Sequence, residues 1–438
     1  MKKTSAFSAS SVALAVAALC ASMPAFAQVE AKVTGRVHFD ARNIDPGMAA
    51  SDLTATASAA DNFEIRRARI GMVGTINKDI AFEVVGNAVG SSTNFIDTAW
   101  VNYGFNKAAQ IRTGRFKQPF SLEELTSSNS IDFMERSYGN QIVPGKRIGM
   151  MVHGEPTKGL VYGVSFFQND FAEVASNGSA GSNFAARLAV DAAQLLTKND
   201  NMVLHAGFAN TQGRADIAGS ATTTTALKLR SENRGLADTL KVTLGTTAAA
   251  TAIRNDKKMA GLELALATGP FKFQAENFDS TFDMSNTNLT GSAGNIKLKA
   301  NYYEFMYNVT GEAWAKSYKG GAFSSISPDQ VFMKDYGGVV GNGIGAWQVG
   351  VRMSSYDASG STVTGTGSKI TSNAGDTLLS TDSIKADTTT YAVNWILNSN
   401  ARVMLNYSDT RFSTDYKFSS TLKTKSEQVV SLRTQINF

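Results

Sequence analysis

From Val430 to Phe438 the chain changes character at every residue: Val430, Leu432, Thr434, Ile436 and Phe438 fall on one face, and Ser431, Arg433, Gln435 and Asn437 on the other. A period of two is the signature of a β-strand whose faces meet different media. The same pattern returns along the chain. Val33, Gly35, Val37 and Phe39 alternate with Thr34, Arg36, His38 and Asp40, and Phe271, Phe273 and Ala275 with Lys272, Gln274 and Glu276. Trp347, Val349, Val351 and Met353 oppose Gln348, Arg352 and Ser354, and Val403, Leu405 and Tyr407 oppose Arg402 and Asn406. Beyond the N-terminus no stretch of about 18 apolar residues occurs, so a transmembrane helix is excluded. A chain of this kind crosses a bilayer only as a closed barrel, in which every backbone donor and acceptor finds a partner on a neighbouring strand.

The N-terminus explains how such a chain reaches a membrane. Lys2 and Lys3 precede an apolar run from Val12 to Leu19, followed by Ala25-Phe26-Ala27. This is the layout of a cleaved secretory signal, with residues 1–27 removed. Cys20 is read as part of its apolar core, so residues 28–438 form the barrel domain without a thiol, and stability rests on hydrogen bonding and packing. Without the leader's two lysines, 40 basic residues face 37 acidic ones, a balance that identifies no partner by itself. With 38 Gly, 25 Phe and 12 Tyr but only 7 Pro, the composition suits short strands, polar loops and aromatic girdles.

Connection lengths add a second signal, because membrane barrels join strands by short turns at one end and long loops at the other. Short connections are read at Thr75 to Asp79, Gly104 to Ala108, Glu155 to Lys158 and Ala267 to Pro270. Long ones are read at Ala41 to Asn62, Lys117 to Lys146, Asp170 to Ser182, Asn210 to Asp256 and Asp279 to Ile296. The alternation holds for about the first eleven strands and breaks after Val309, where two long polar stretches, Lys319 to Gly345 and Asp357 to Ala386, follow in succession. The expected fold is all-β: a transmembrane antiparallel barrel of about 16 strands, a size that leaves an aqueous channel.

Several segments resemble the phosphate-selective porin O and P family. They are Phe63-Glu64-Ile65-Arg66-Arg67-Ala68-Arg69, Asp97-Thr98-Ala99, and the long run from Gly114 through Phe120-Ser121-Leu122-Glu123-Glu124-Leu125-Thr126-Ser127-Ser128 to Glu135-Arg136-Ser137. Gly345 to Arg352 and Asn394-Trp395-Ile396-Leu397-Asn398 carry the resemblance at the C-terminal end. It implies a homotrimer of 16-stranded barrels in the outer membrane, in contact with outer-membrane lipid, each with its own pore for small anionic solutes. It also implies that the third long loop, about Lys117 to Lys146, folds inward and narrows that pore. Carried over residue by residue, Arg66 and Arg67 on the wall and Arg136, Ser127 and Ser128 on the loop side line the narrow zone, with Asp97 steadying the cations; Arg69, which shares a strand face with Arg67, is counted with them. These residue types suit anion passage, since guanidinium groups present forked donors to oxyanions and hydroxyls replace lost water.

One departure bears on the solute. Family members selective for phosphate carry lysine where this chain has Glu124, which inverts a charge in the narrow zone and makes a general porin of weaker anion preference, or a pore for another oxyanion or an organic acid, as good a candidate as a phosphate channel. Strand parity raises a second question, since the neighbours Arg66 and Arg67 belong on opposite faces, and a strand end, a bulge or a neighbouring subunit is needed to bring Arg66 inward. Arg112 and Arg115 also fall on opposite faces by parity. Ser127 and Ser128 have a plainer reading as caps of a short helix within Ser-Asn-Ser-Ile-Asp.

Catalysis finds no support in the sequence. Of the three histidines, His38, His153 and His205, no two have metal-binding spacing, and neither a nucleophile elbow nor a phosphate-cradling loop is present. No cofactor and no nucleic-acid partner is implied. Two other classes are distinguishable: a structural or adhesive barrel would carry a lumen filled by bulky, paired side chains, and a soluble β-protein would be polar on both sheet faces.

Overall fold

In the computed structural model the protein is described over residues 29–47, 62–89, 95–168, 181–218, 223–236, 238–245, 252–286, 292–332, 343–372, 384–417 and 423–438. Residues 1–28, and with them the signal sequence, lie outside this set. No helix among the described residues is long and apolar enough to cross a membrane.

Sixteen antiparallel strands close into a barrel. In chain order they are β1 (Val29–Asp45), β2 (Asn62–Ile76), β3 (Ile80–Asn87), β4 (Ile96–Gly104), β5 (Gln110–Lys117), β6 (Lys146–Thr157), β7 (Leu160–Gln168), β8 (Asn183–Asp191), β9 (Met202–Ala218), β12 (Ala252–Thr268), β13 (Phe271–Asn286), β14 (Ala293–Asn308), β17 (Ala346–Asp357), β20 (Lys385–Ile396), β21 (Ala401–Lys417) and β22 (Lys423–Asn437). The remaining short strands lie outside this ladder: β10 (Thr223–Leu229) pairs with β11 (Leu240–Gly245) and β11 with β19 (Lys369–Thr371), β15 (Tyr318–Lys319) pairs with β16 (Ala322–Phe323), and β18 (Thr362–Thr364) extends alongside β14. Closure is made by β1 against β22, from Arg36 opposite Asn437 to Asp45 opposite Gln428. The last residue completes the ladder: Gly35 N donates to the Phe438 carbonyl at 2.8 Å, and Phe438 N to Gly35 O at 3.1 Å. The Phe438 ring lies so close over Gly35 that a Cβ there would sit 2.3 Å from it.

The alternation read from the sequence separates outside from inside correctly. Val430, Leu432 and Ile436 of β22 are exposed on the barrel's outer surface, whereas Ser431, Arg433 and Gln435 are buried on the inner one. On β13, Phe271 and Phe273 point out while Lys272, Gln274 and Glu276 are buried within. This inverts a soluble protein, with apolar side chains outside and charge inside, and it excludes a soluble sheet that is polar on both faces.

Two expected loops are shorter than read. β9 runs on to Ala218 and β12 begins at Ala252, so the span Asn210 to Asp256 is largely strand at both ends, and β13 and β14 likewise consume most of Asp279 to Ile296. Here the ladder rises above the apolar band and the two faces exchange character: Asp283, Ser285 and Lys297 are exposed outside, whereas Ile253, Phe282, Met284, Ile296 and Leu298 are buried inside, so the apolar-out alternation of the belt is lost while the backbone pairing continues. The break after Val309 also has a structural reason. Residues 309–345 connect β14 to β17 at the short-turn end, and their described part folds up into the barrel, burying Trp314, Phe323 and Ile326 with Leu122 and Phe133.

Candidate functional site

The connection between β5 and β6, residues 118–145, lies inside the barrel as expected of the third loop. Its short helix α1 (Leu122–Leu125) begins at Ser121, whose Oγ accepts from Glu124 N at 3.1 Å. The free N–H groups of its first turn are met from across the lumen: the Glu276 carboxylate accepts from Leu122 N and Glu123 N, both at 2.8 Å, and from Ser121 Oγ at 3.2 Å. Besides contacts of Glu135, Ser128 and Asn129 with β1 and β2, the loop's backbone and Asp132 are held from one half of the wall. Arg402 donates to Ile131 O at 3.0 Å, Arg433 to Met134 O at 2.7 Å, Arg352 to Glu135 O at 2.8 Å and Asn394 to Asp132 O at 2.8 Å, while Lys272 pairs with Asp132. All five donors stand on β13, β17, β20, β21 and β22. The open passage therefore runs along the opposite half, β1 to β8.

That passage is a cavity of about 680 Å³ bordered by ten basic side chains and four acidic ones. It contains Arg67, Arg69, Asp97, Glu124, Ser127, Ser128 and Arg136, so seven of the eight residues singled out from the sequence meet there. Arg66 is the exception. Its guanidinium points inward but is taken by Glu135, with Nε donating to Oε1 at 2.8 Å and Nη2 to Oε2 at 3.2 Å.

Two bulges build this arrangement. His38 of β1 pairs with Arg67 but the next residue, Phe39, pairs with Ile65, so Arg66 is the extra residue on β2. The bulge lets Arg66 and Arg67 face inward together, resolving the parity question in favour of the second of the three possibilities. On the neighbouring pair, Val85 is opposite Thr98 and Gly86 opposite Ile96, which makes Asp97 the extra residue of β4. Asp97 thereby turns toward the lumen, where it pairs with Arg69 at 2.9 Å and with Lys146. Arg112 and Arg115 likewise border one cavity rather than opposite faces, with Gly114 between them at a φ of 117°, where a Cβ would lie 2.2 Å from Ala99 O.

On the loop side, Arg136 donates to Glu123 O at 3.0 Å and to Thr126 O at 2.7 Å, and approaches Glu124 Oε2 at 3.6 Å. Glu124 also accepts from Asn140 Nδ2 at 2.8 Å and lies 4.0 Å from the Lys117 ammonium. Burial on its own would raise the Glu124 carboxyl, but Arg136 and Lys117 outweigh it and hold the group below its usual range. Ser128 Oγ accepts from Arg36 Nη1 at 2.8 Å. Ser127 and Ser128 sit at a turn with no helix starting directly after them, so the capping reading is corrected: the helix cap is Ser121, six residues before Ser127, where the loop enters the lumen.

Sequence reading missed Glu135. It is buried, and besides Arg66 it lies 3.5 Å from Arg42, 3.5 Å from Arg230 and 3.6 Å from Arg433. Burial again opposes ionisation, and Arg66 and the other guanidinium groups override it, so the carboxyl is held well below the ordinary range. Its partners stand far away along the chain, on β1, β2 and β22 and just beyond β10, and no local motif marks them. The histidines are dispersed: His38 lies near Arg67 and Asn129, His153 near Asn102, and His205 near Glu263 and Tyr318.

Three guanidinium groups matter most for charge. Arg36, Arg67 and Arg112 all border the cavity, and among the described residues none has an ion-pairing carboxylate; they contact instead a hydroxyl, an imidazole and aromatic rings, respectively.

A closed sixteen-stranded barrel with an apolar outer belt, a loop folded into its lumen and a basic passage beside that loop defines a channel-forming porin of the outer membrane. The chain belongs to the family described as phosphate-selective porin O and P, whose model matches residues 31–438. It is similar to Porin O of Pseudomonas aeruginosa, with 25% identity over 396 residues covering 86% of this chain and 82% of that one. Among solved structures the fold is similar to an anion-selective porin from Comamonas acidovorans, with a TM-score of 0.52, 12% identity and coverage of 94% and 100%. It is also similar to the trimer form of OmpT, an outer membrane protein of Vibrio cholerae, with a TM-score of 0.52, 10% identity and coverage of 94% and 99%.

Proposed function

We propose that this protein is a passive anion channel, not an enzyme, and that it works as a homotrimer. The observation that carries the reading is the trio Arg36, Arg67 and Arg112. Each stands in a confined, partly desolvated passage with no carboxylate in ion-pair contact among the described residues, the nearest acids being engaged by other partners. An anion entering exchanges water for guanidinium donors. It can leave again because Asp97 and Glu124 dilute the positive field rather than cancel it, and conduction needs binding weak enough to release. In this reading Arg67, Arg69 and Arg136 draw the anion in, Ser127 and Ser128 replace lost water, and Arg66 acts indirectly by anchoring Glu135. The trimer is supported by Phe63, 91% exposed at the loop-bearing end of β2, and by exposed Phe95 and Ile96 lower on the same short-stranded wall, level with exposed Ile70, all of which a neighbouring copy would cover.

Glu124 argues against strong phosphate preference, because a doubly charged anion suffers twice from a carboxylate at the narrow zone. The deciding measurement is phosphate block of chloride current in planar bilayers. Glu124→Lys is expected to lower the blocking concentration of phosphate, and Arg67→Glu to abolish anion preference. Phosphate block unchanged in Glu124→Lys would place the narrow zone elsewhere.

A further inference from the structure

The cavity changes chemistry along its length. Near the loop it is bordered by charge and hydroxyl, but five residues below Lys117 on β5, about 16 Å along the strand, it becomes partly apolar. There Trp100, Phe116, Pro119, Met151 and Val161 join Arg112 on the wall. Arg112 is held in an unusual way for a lumen cation. Its guanidinium lies over the Trp100 ring at 4.2 Å from the centroid and faces the Phe116 ring at 6.0 Å, and its Nε has no hydrogen-bond partner. Glu83, the acid beside it, is occupied: its two oxygens accept from Trp100 Nε1 at 2.9 Å and Thr98 Oγ1 at 3.4 Å. The indole bond fixes the plane of Trp100, and the indole in turn fixes the guanidinium plane.

We infer that this is a second binding station, distinct from the narrow zone and specific for organic anions with a flat apolar body, the aromatic monocarboxylates being the simplest class. Ring faces hold Arg112 by its plane and leave its N–H edge directed to the solute, so a carboxylate docks edge-on in bidentate fashion. The flat remainder of the solute then packs against Met151, Val161 and the exposed part of Trp100. A small hydrated anion uses the guanidinium but gains nothing from the apolar wall. This deepens the anion-channel reading and rests on it, since it assigns the class of solute to the lower half of the same passage.

The experiment compares two carboxylates of equal charge, benzoate and acetate, as blockers of chloride current through the trimeric full-length channel in planar bilayers. Benzoate is expected to block at a concentration about tenfold below acetate. Trp100→Leu and Arg112→Lys, each first shown to be folded by its heat-modifiable gel band, are expected to bring that ratio close to one. The lysine variant keeps the charge but loses the planar fork, so loss of the ratio there separates docking from simple electrostatics. Equal block by benzoate and acetate in the wild-type channel, or a ratio that survives in Trp100→Leu, would overturn the station. Failure of the anion-channel reading would show instead in the sign of the zero-current potential, which is read in the same membrane without either carboxylate.

Discussion

At the scale of single residues, the decisive feature is how few carboxylates hold how many cations. Glu135 is the clearest case, because one buried loop carboxylate faces Arg66, Arg42, Arg230 and Arg433. Replacing it by glutamine takes the carboxylate from Arg66 and Arg230 while Arg42 and Arg433 keep Asp40, and loss of one partner from a buried charge cluster costs about 3 kcal/mol. Glu135→Gln is therefore expected to loosen the inward loop, measured as faster proteolysis within residues 118–145 while the barrel band stays heat-modifiable. Glu124 yields a pH prediction. Its carboxyl is held below the usual range, so its contribution to stability is complete above the unfolded value and is lost only as pH falls through the lower folded one. As it protonates, a negative charge leaves the narrow zone. Anion preference is expected to rise on acidification, only below the ordinary carboxylate range, and to show no such rise in Glu124→Gln.

At the scale of elements, strands were legible where they cross the apolar belt and illegible where they leave it. β22 and β13 show their faces in the sequence because lipid demands an apolar residue at every second position. The upper parts of β9, β12, β13 and β14 stand in water on the outside, so Arg214, Arg254, Asp256 and Lys297 occupy strand stretches in which a belt strand would carry Leu or Phe. The bulges were half legible. Two adjacent arginines on a strand announce a parity conflict, but the choice of a bulge over a strand end is made by β1, whose pairing jumps from Arg67 to Ile65. Deleting Arg66 is expected to restore regular pairing while removing the anchor of Glu135, with the same increase in loop proteolysis as Glu135→Gln. On the belt itself, Leu432→Arg is expected to destabilise the barrel by about 2–4 kcal/mol in urea titration in lipid vesicles; no change would show that Leu432 does not face hydrocarbon.

At the scale of the whole molecule, the lumen is divided between a filled half and an open half. The contacts that fill it join residues very far apart, such as Arg352 with Glu123 and Glu232, and Lys272 with Asp132 and Glu304, so no window of sequence displays them. The grouping of Arg67, Arg69, Asp97, Glu124, Ser127, Ser128 and Arg136 about one cavity was legible through family resemblance and residue type, whereas the upward fold within residues 309–345 was hidden because its few apolar residues are scattered in a polar stretch. Assembly belongs to this scale too: Phe63→Arg is expected to lower the temperature at which the trimer dissociates on gels, and a monomer mass for the wild-type protein in mild detergent would refute the trimer.

Selection of anions by the passage beside the inward loop is tested most directly by the zero-current potential of the wild-type channel across a planar bilayer in a steep KCl gradient. Arg36, Arg67 and Arg112, none of them in an ion pair among the described residues, within a lining of ten basic and four acidic side chains, predict that the dilute side becomes negative as chloride crosses faster than potassium. A positive dilute side, with potassium leading, would contradict anion selection.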